Sequence, residues 1–124
     1  MSQCILIVDD DCQMVALGRL ILERYGYQVL AAYDGTEALA IMRQENGAIG
    51  VLLLDLMLGT KDGWQVLNEI KADARLSHIP VIILTARPQL PAEVAPHIGH
   101  FAHYVTKPFE VHDLLAKINE VLCR

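Results

Sequence analysis

Long apolar runs are missing from this 124-residue chain, and no stretch approaches the roughly 20 residues that a helix needs to cross a bilayer. Positive charge is also scarce, with 10 Lys and Arg against 15 Asp and Glu and a formal net charge of −5. That balance, with a sequence pI of about 5.4, argues against the basic face that direct nucleic-acid binding needs. Cysteines are few: Cys4, Cys12 and Cys123 are odd in number and lack metal-ligand spacing, which excludes a disulfide framework and suits reduced cytoplasmic thiols. The opening MSQCILIV carries no positive charge ahead of its apolar run and soon meets three aspartates, so no signal peptide is expected. No internal repeat, low-complexity tract or linker interrupts the chain, and one domain over residues 1–124 is expected.

What is present is a series of short apolar segments that suit buried strands, alternating with stretches of helical periodicity. Residues 4–8 form the first and run into Asp9, Asp10 and Asp11. Asp11 reads as the cap of a helix that carries Met14, Val15, Leu17, Ile21 and Leu22 inward and closes at Gly26; Gly18 within it costs about 1 kcal/mol relative to Ala. A second strand is expected over residues 27–32. Asp34 and Glu37 then have capping-box spacing at the head of a helix that buries Ala38, Leu39 and Ile41 and stops at Gly47. The run VLLL feeds directly into Asp55, and a third helix over residues 63–73 buries Val66, Leu67 and Ile70. Pro80 opens a strand ending at Thr85, and a fifth strand over residues 102–106 ends at Lys107 and Pro108. A last amphipathic helix sets Leu114, Leu115, Ile118, Val121 and Leu122 on one side. Five strands alternating with helices predict an α/β domain whose parallel sheet is covered on both faces.

In an open α/β sheet, ligands bind beyond the carboxyl ends of the strands. The polar residues at those ends are Asp9, Asp10 and Asp11, then Asp55, Thr85 and Lys107, and all would converge on one crevice. Carboxylates gathered so closely stay ionised only with a cation among them. An all-oxygen donor set without histidine or cysteine points to a hard, mostly hydrated ion such as Mg²⁺. Lys107 adds a second positive charge and Thr85 a hydroxyl, the parts needed to hold a phosphoryl group while a carboxylate attacks phosphorus. The product is an acyl phosphate, and on these residues alone the nucleophile is Asp55 or Asp9.

The segments ILIVDDD, GYQVLAAYDGTEAL, LLLDLMLGTKDGW, PVIILTA and YVTKPF, in this order and spacing, resemble the receiver domain of the two-component response regulators, in the CheY-like superfamily. The resemblance runs over essentially the whole chain. It implies a single flavodoxin-like, five-stranded parallel sheet in the order 2-1-3-4-5 with helices on both faces. It also implies that Asp55 accepts a phosphoryl group from a sensor histidine kinase, a phosphotransfer protein or a small phosphodonor, in a reaction that uses Mg²⁺ or, in its place, Mn²⁺. Such a chain is a phosphoacceptor that assists its own phosphoryl transfer and dephosphorylation rather than an enzyme. The implied metal ligands are Asp9, Asp10, Asp55 and the backbone carbonyl of Met57. Lys107 and Thr85 would contact the phosphoryl oxygens, with the small Ala86 beside them, and Thr85 and Tyr104 would form a switch pair. The Lys107-Pro108 bond would be cis. A downstream output domain or protein, a phosphorylation-dependent homodimer and a cytoplasmic location follow from the same resemblance, without membrane or nucleic-acid contact by this domain.

Some residues depart from that pattern or carry a plainer meaning. Gly59 stands where the family usually has proline, which predicts a more mobile loop after Asp55. Between the fourth and fifth strands the chain reads RPQLPAEVAPHIGHFAHY; Pro88 and Pro91 suit a helix start, but Pro96 predicts a short or distorted fourth helix. Gly99 falls one residue ahead of the place, His100, where the family puts its glycine. Asp11 reads as a cap, Cys12 as a packing residue, and His97, His100 and His103 as solvated side chains rather than metal ligands. Arg87, two residues beyond Thr85, is a candidate to reach the phosphoryl group and alter its lifetime.

Two other classes compete. Asp9 and Asp11 satisfy the Asp-x-Asp start of an aspartate-nucleophile phosphatase of the haloacid dehalogenase type, but Gln13 departs from that motif, no cap domain follows, and nothing in that reading needs Asp55 or YVTKPF. A receiver-like binding module that is never phosphorylated would have lost an acidic or lysine position, and none is missing. A flavodoxin-like FMN site is disfavoured because the first strand leads into aspartates rather than a Ser/Thr/Gly-rich phosphate loop.

Overall fold

The apolar segments become β1 (Cys4–Val8), β2 (Gln28–Ala32), β3 (Ile49–Asp55), β4 (Val81–Thr85) and β5 (His103–Thr106). Between and after them lie α1 (Cys12–Arg24), α2 (Gly35–Gln44), α3 (Gly63–Ala72), α4 (Pro91–Val94) and α5 (Val111–Leu122). The computed structural model describes residues 4–45, 47–58, 62–86 and 91–123. The expectations for Gly59, Arg87 and Pro88 fall outside these residues. All strand pairings are parallel, and the order is β2-β1-β3-β4-β5. This is the flavodoxin-like architecture expected from the sequence.

The continuous apolar runs follow from burial on both sides of the sheet. Side chains along a strand alternate between faces, so a run such as VLLL serves two cores at once. Leu6, Leu52, Leu54, Val81 and Ile83 pack with Leu39 and Met42 of α2 and Val66, Leu67 and Ile70 of α3. Their sequence neighbours Ile5, Ile7, Val51, Leu53, Ile82 and Leu84 pack on the other face with Val15 and Leu22 of α1 and Leu114, Ile118 and Val121 of α5. Each fully buried aliphatic chain contributes roughly 1.5–3 kcal/mol, so two facing cores suffice to hold a sheet whose strands are 4 to 7 residues long.

Local chemistry fixes the helix ends. Asp11 accepts hydrogen bonds from the Gln13 and Met14 amides and caps α1, and Gly26 follows the helix with φ of 92°. Asp34 accepts from the Glu37 amide, but the Glu37 carboxylate takes the amide of Tyr33, one residue before the cap, instead of completing the expected box on Asp34. The complete capping box belongs to α3, between Asp62 and Gln65. The α2 helix ends at Gln44 with Glu45 as its C-cap, short of Gly47. In α1, Val15 and Leu22 are buried as expected, whereas Leu17 is 55% exposed because its position turns it off the sheet-facing stripe.

The fourth helix is the short one. Pro91–Val94 gives a single α turn, and Ala95–His97, with Pro96 in its first turn, tightens into a 3-10 turn. Gly99 then reverses the chain with φ of 93°. No described helix is long and apolar enough to cross a membrane.

Candidate functional site at the carboxyl edge of the sheet

Three strand ends deliver the central charges. Asp9 directly follows β1 and is 4% exposed; Asp55 is the last residue of β3 and is 7% exposed. Lys107 directly follows β5, and its backbone amide donates to the Thr85 carbonyl at 2.8 Å, which ties the lysine to the end of β4. Its ammonium donates to Asp9 Oδ2 at 2.7 Å and to Asp55 Oδ2 at 3.0 Å. The second oxygen of each acid is held by the backbone, Asp9 Oδ1 by the Asp11 amide and Asp55 Oδ1 by the Met57 amide, both at 2.9 Å. Both carboxylates are therefore fixed in direction by one backbone and one ammonium donor.

The electrostatics follow from burial and pairing. Burial pushes the Asp55 carboxyl above the ordinary aspartate value, against the pull of the Met57 amide and Lys107, and the neighbouring Asp9 charge adds to the rise. Burial works against the Lys107 ammonium, but its hydrogen bonds to Asp9 and Asp55 carry its pKa above the usual lysine value. One ammonium thus faces two carboxyl groups. Among the described residues no group of three His, Cys, Asp or Glu side chains closes around a cation. Two convergent carboxylates with open space beside them fit an ion such as Mg²⁺, which keeps several waters and takes only one or two carboxylates from a protein.

Beside the cluster opens an apolar cavity of about 520 Å³ whose lining includes Asp9, Asp55, Ala86 and Lys107.

A family model for the response regulator receiver domain matches residues 5–119. The chain belongs to that family. This receiver domain is 38% identical over 122 residues to the DNA-binding dual master transcriptional regulator RpaA of Synechocystis sp., with 97% of this chain and 49% of that protein aligned. It is 37% identical over 118 residues to Protein PilH of Pseudomonas aeruginosa, covering 95% of this chain and 96% of that protein. The crystal structure of a response regulator receiver domain protein from Clostridium thermocellum superposes with a TM-score of 0.88 at 30% identity, covering 98% of this chain and 95% of that one. The chain spans about half the length of several curated relatives it matches.

The remaining sequence-derived candidates divide in the receiver fold. Thr85 is fully buried at the end of β4, and Ala86 beside it is exposed. Asp10 is exposed at the rim, and Met57 is 48% exposed just beyond Asp55. The Lys107-Pro108 bond is cis. Tyr104 pairs with Ile83 and Thr106 with Thr85, so Tyr104 lies one pleat behind Thr85 on the same sheet face, packed near Phe101. Cys12 is exposed at the start of α1 instead of packed. The histidines are not simply solvated. His97 stacks on Trp64 with centroids 4.2 Å apart and planes 3° apart, all three rings are half-buried, and His103 Nε2 sits 3.5 Å from Glu120. Burial and the neighbouring His100 hold the His97 imidazole below the usual histidine value, with Asp62 pulling the other way. Trp64 is what overturns the solvated reading, because its ring gives His97 a flat apolar surface to cover.

One positioning residue escaped the sequence reading. Gly63 opens α3 with its amide on the Leu56 carbonyl at 3.0 Å, and a Cβ there would stand 2.5 Å from Leu56 Cα and 2.6 Å from the Asp55 carbonyl oxygen. The helix can approach the backbone of the acid only because this residue has no side chain. In the sequence Gly63 looks like an ordinary glycine after a turn.

Proposed function

We propose that Asp55 is the phosphoacceptor of a two-component relay. An Asp55 oxygen attacks phosphorus, the bond from phosphorus to the donor atom breaks, its electron pair leaves with the donor, and an acyl phosphate remains on Asp55. The reading is carried by one observation, the single Lys107 ammonium that joins the buried carboxylates of two separate strands. Lys107 holds Asp55 in place before transfer and afterwards offers a proton-rich ammonium to a phosphoryl oxygen. Asp9, Asp10, Asp55 and the Met57 carbonyl would hold Mg²⁺ or Mn²⁺, which when bound supplies positive charge against the phosphoryl oxygens. The Thr85 hydroxyl donates to a phosphoryl oxygen, and Tyr104 behind it turns inward as Thr85 shifts. The new contacts favour one of two arrangements that the domain already samples, and a partner-binding face changes with them.

On this reading the donor is a sensor histidine kinase, a phosphotransfer protein or a small phosphodonor. The receiver is a signalling element rather than an enzyme, cytoplasmic, with a downstream output domain or protein and a phosphorylation-dependent homodimer as its outlets. Borohydride reduction after incubation with acetyl phosphate and Mg²⁺, followed by peptide mapping, tests it. The expected adduct is on Asp55, and Asp55→Asn should abolish it. An adduct on Asp9 would instead support the phosphatase reading, and no adduct under any Mg²⁺ concentration would support a binding module that is not phosphorylated.

A further inference from the structure

The cavity of about 520 Å³ lies within the range of roughly 300–1,000 Å³ typical of small-molecule sites, and its two ends differ in chemistry. One end holds Asp9, Asp55 and Lys107; the walls are hydrocarbon, with Met14, Leu17, Gly18 and Ile21 of α1 facing Phe109 and Leu114. Gly18 keeps the floor open. A Cβ there would meet only Ile7 Cδ1 within 4 Å, at an ordinary contact distance of 3.4 Å, and since both residues line the cavity a longer side chain would occupy its space. A glycine inside a helix costs about 1 kcal/mol, and here the vacated volume is what it leaves in exchange. Leu17, 55% exposed, extends the apolar wall out to solvent.

We infer that this cavity receives the hydrocarbon part of an acyl phosphate, so that medium-chain acyl phosphates phosphorylate Asp55 in preference to acetyl phosphate. The inference rests on Asp55 as phosphoacceptor. The polar end carries two carboxylates against one ammonium, so an anionic head enters it together with a divalent cation, as a phosphate does in oxygen-donor sites. The alkyl chain behind the leaving carboxyl folds back across Met14 and Leu17 into the cavity. In the step itself the Asp55 oxygen bonds to phosphorus, the bond between phosphorus and the acyl oxygen breaks, and the electron pair leaves with the fatty carboxylate. One acyl phosphate gives one phosphorylated domain and one free carboxylate.

The test compares acetyl phosphate with hexanoyl phosphate at equal, subsaturating concentration in excess Mg²⁺, following the phosphorylated fraction by intact-protein mass. Each buried methylene is worth about fourfold in binding, so the wild type should label at least about tenfold faster from the hexanoyl donor. Gly18→Leu fills the cavity and should bring the ratio of the two rates towards one. Should that variant fold poorly by circular dichroism, Leu17→Gln, at an exposed position, should still lower the ratio. Equal wild-type rates overturn this inference and leave the phosphoacceptor reading standing; absence of label from either donor overturns both. A chain-length preference that survives both variants overturns the cavity as its cause.

Discussion

Replacing Gly63 with alanine adds one methyl group at the most constrained point near the site. The new Cβ would lie 2.5 Å from Leu56 Cα and 2.6 Å from the Asp55 carbonyl oxygen, and both are backbone atoms that cannot rotate away. Ordinary contact begins at 3.4 Å, so α3 and the end of β3 must separate by about 1 Å. Overpacking of this kind costs about 1–3 kcal/mol, and the immobile neighbours favour the upper end. Alanine's better helix propensity returns only about 0.5–1 kcal/mol, so the clash wins. For a domain of this size each kcal/mol lowers the Tm by roughly 3–6 °C, and a drop of order 5–10 °C is expected in thermal unfolding. Because the displaced oxygen is Asp55's own carbonyl, phosphoryl uptake should fall too, by up to about 100-fold for a 1 Å misplacement. Gly47→Ala is the control, since nothing lies within 4 Å of its added Cβ, and it should be neutral to within about 0.5 kcal/mol. If Gly63→Ala unfolds at the wild-type temperature and takes label at the wild-type rate, the close approach of α3 to Asp55 does not position the acid.

Asp62→Ala removes the α3 N-cap and one half of its capping box, and should lower the urea-unfolding free energy by about 1 kcal/mol without changing the m-value. Lys107→Met leaves Asp9 and Asp55 facing each other without their ammonium; unfolding in EDTA should show a loss of about 2–3 kcal/mol, below the 3–5 typical of a fully buried pair. An unchanged midpoint would mean the ion pair is not formed in solution. His97 has a folded-state pKa below its unfolded value of 6.5, so its contribution is complete above pH 6.5 and is lost as pH falls through the folded value. Urea midpoints between pH 7.5 and 5 should therefore fall less steeply in His97→Phe, which keeps a ring against Trp64 but cannot titrate. Leu67→Ala, at a fully buried site of α3, should cost about 2–5 kcal/mol by calorimetry or denaturant.

Much of the architecture was legible because it depends on short-range pattern. The runs CILIV, VLLL and VIIL are too short and too evenly apolar for anything but strands covered on both sides, and Asp11, Gly26 and Asp34 mark helix ends by chemistry that acts within a few residues. Errors arose where a residue's role depends on what lies across from it. Gly47 carries a stop signal that the chain does not use, since α2 already ends at Gln44. Leu17 fits the helical spacing of a core residue yet faces solvent, and the histidines around residue 97 gained an aromatic neighbour, Trp64, more than 30 positions away.

The order of acidic, hydroxyl and ammonium residues at strand ends, and with it the fold and the candidate site, was determined by the sequence alone, because alternating periodicities leave few ways to assemble a parallel sheet and place every strand's carboxyl end on one edge. Only the tertiary structure decided that a single lysine bridges Asp9 and Asp55, that Gly63 must lack a Cβ, and that a hydrocarbon-lined cavity opens beside the acids. These are distances between segments remote in the chain, set by how helices settle on the sheet, and local pattern carries no measure of them.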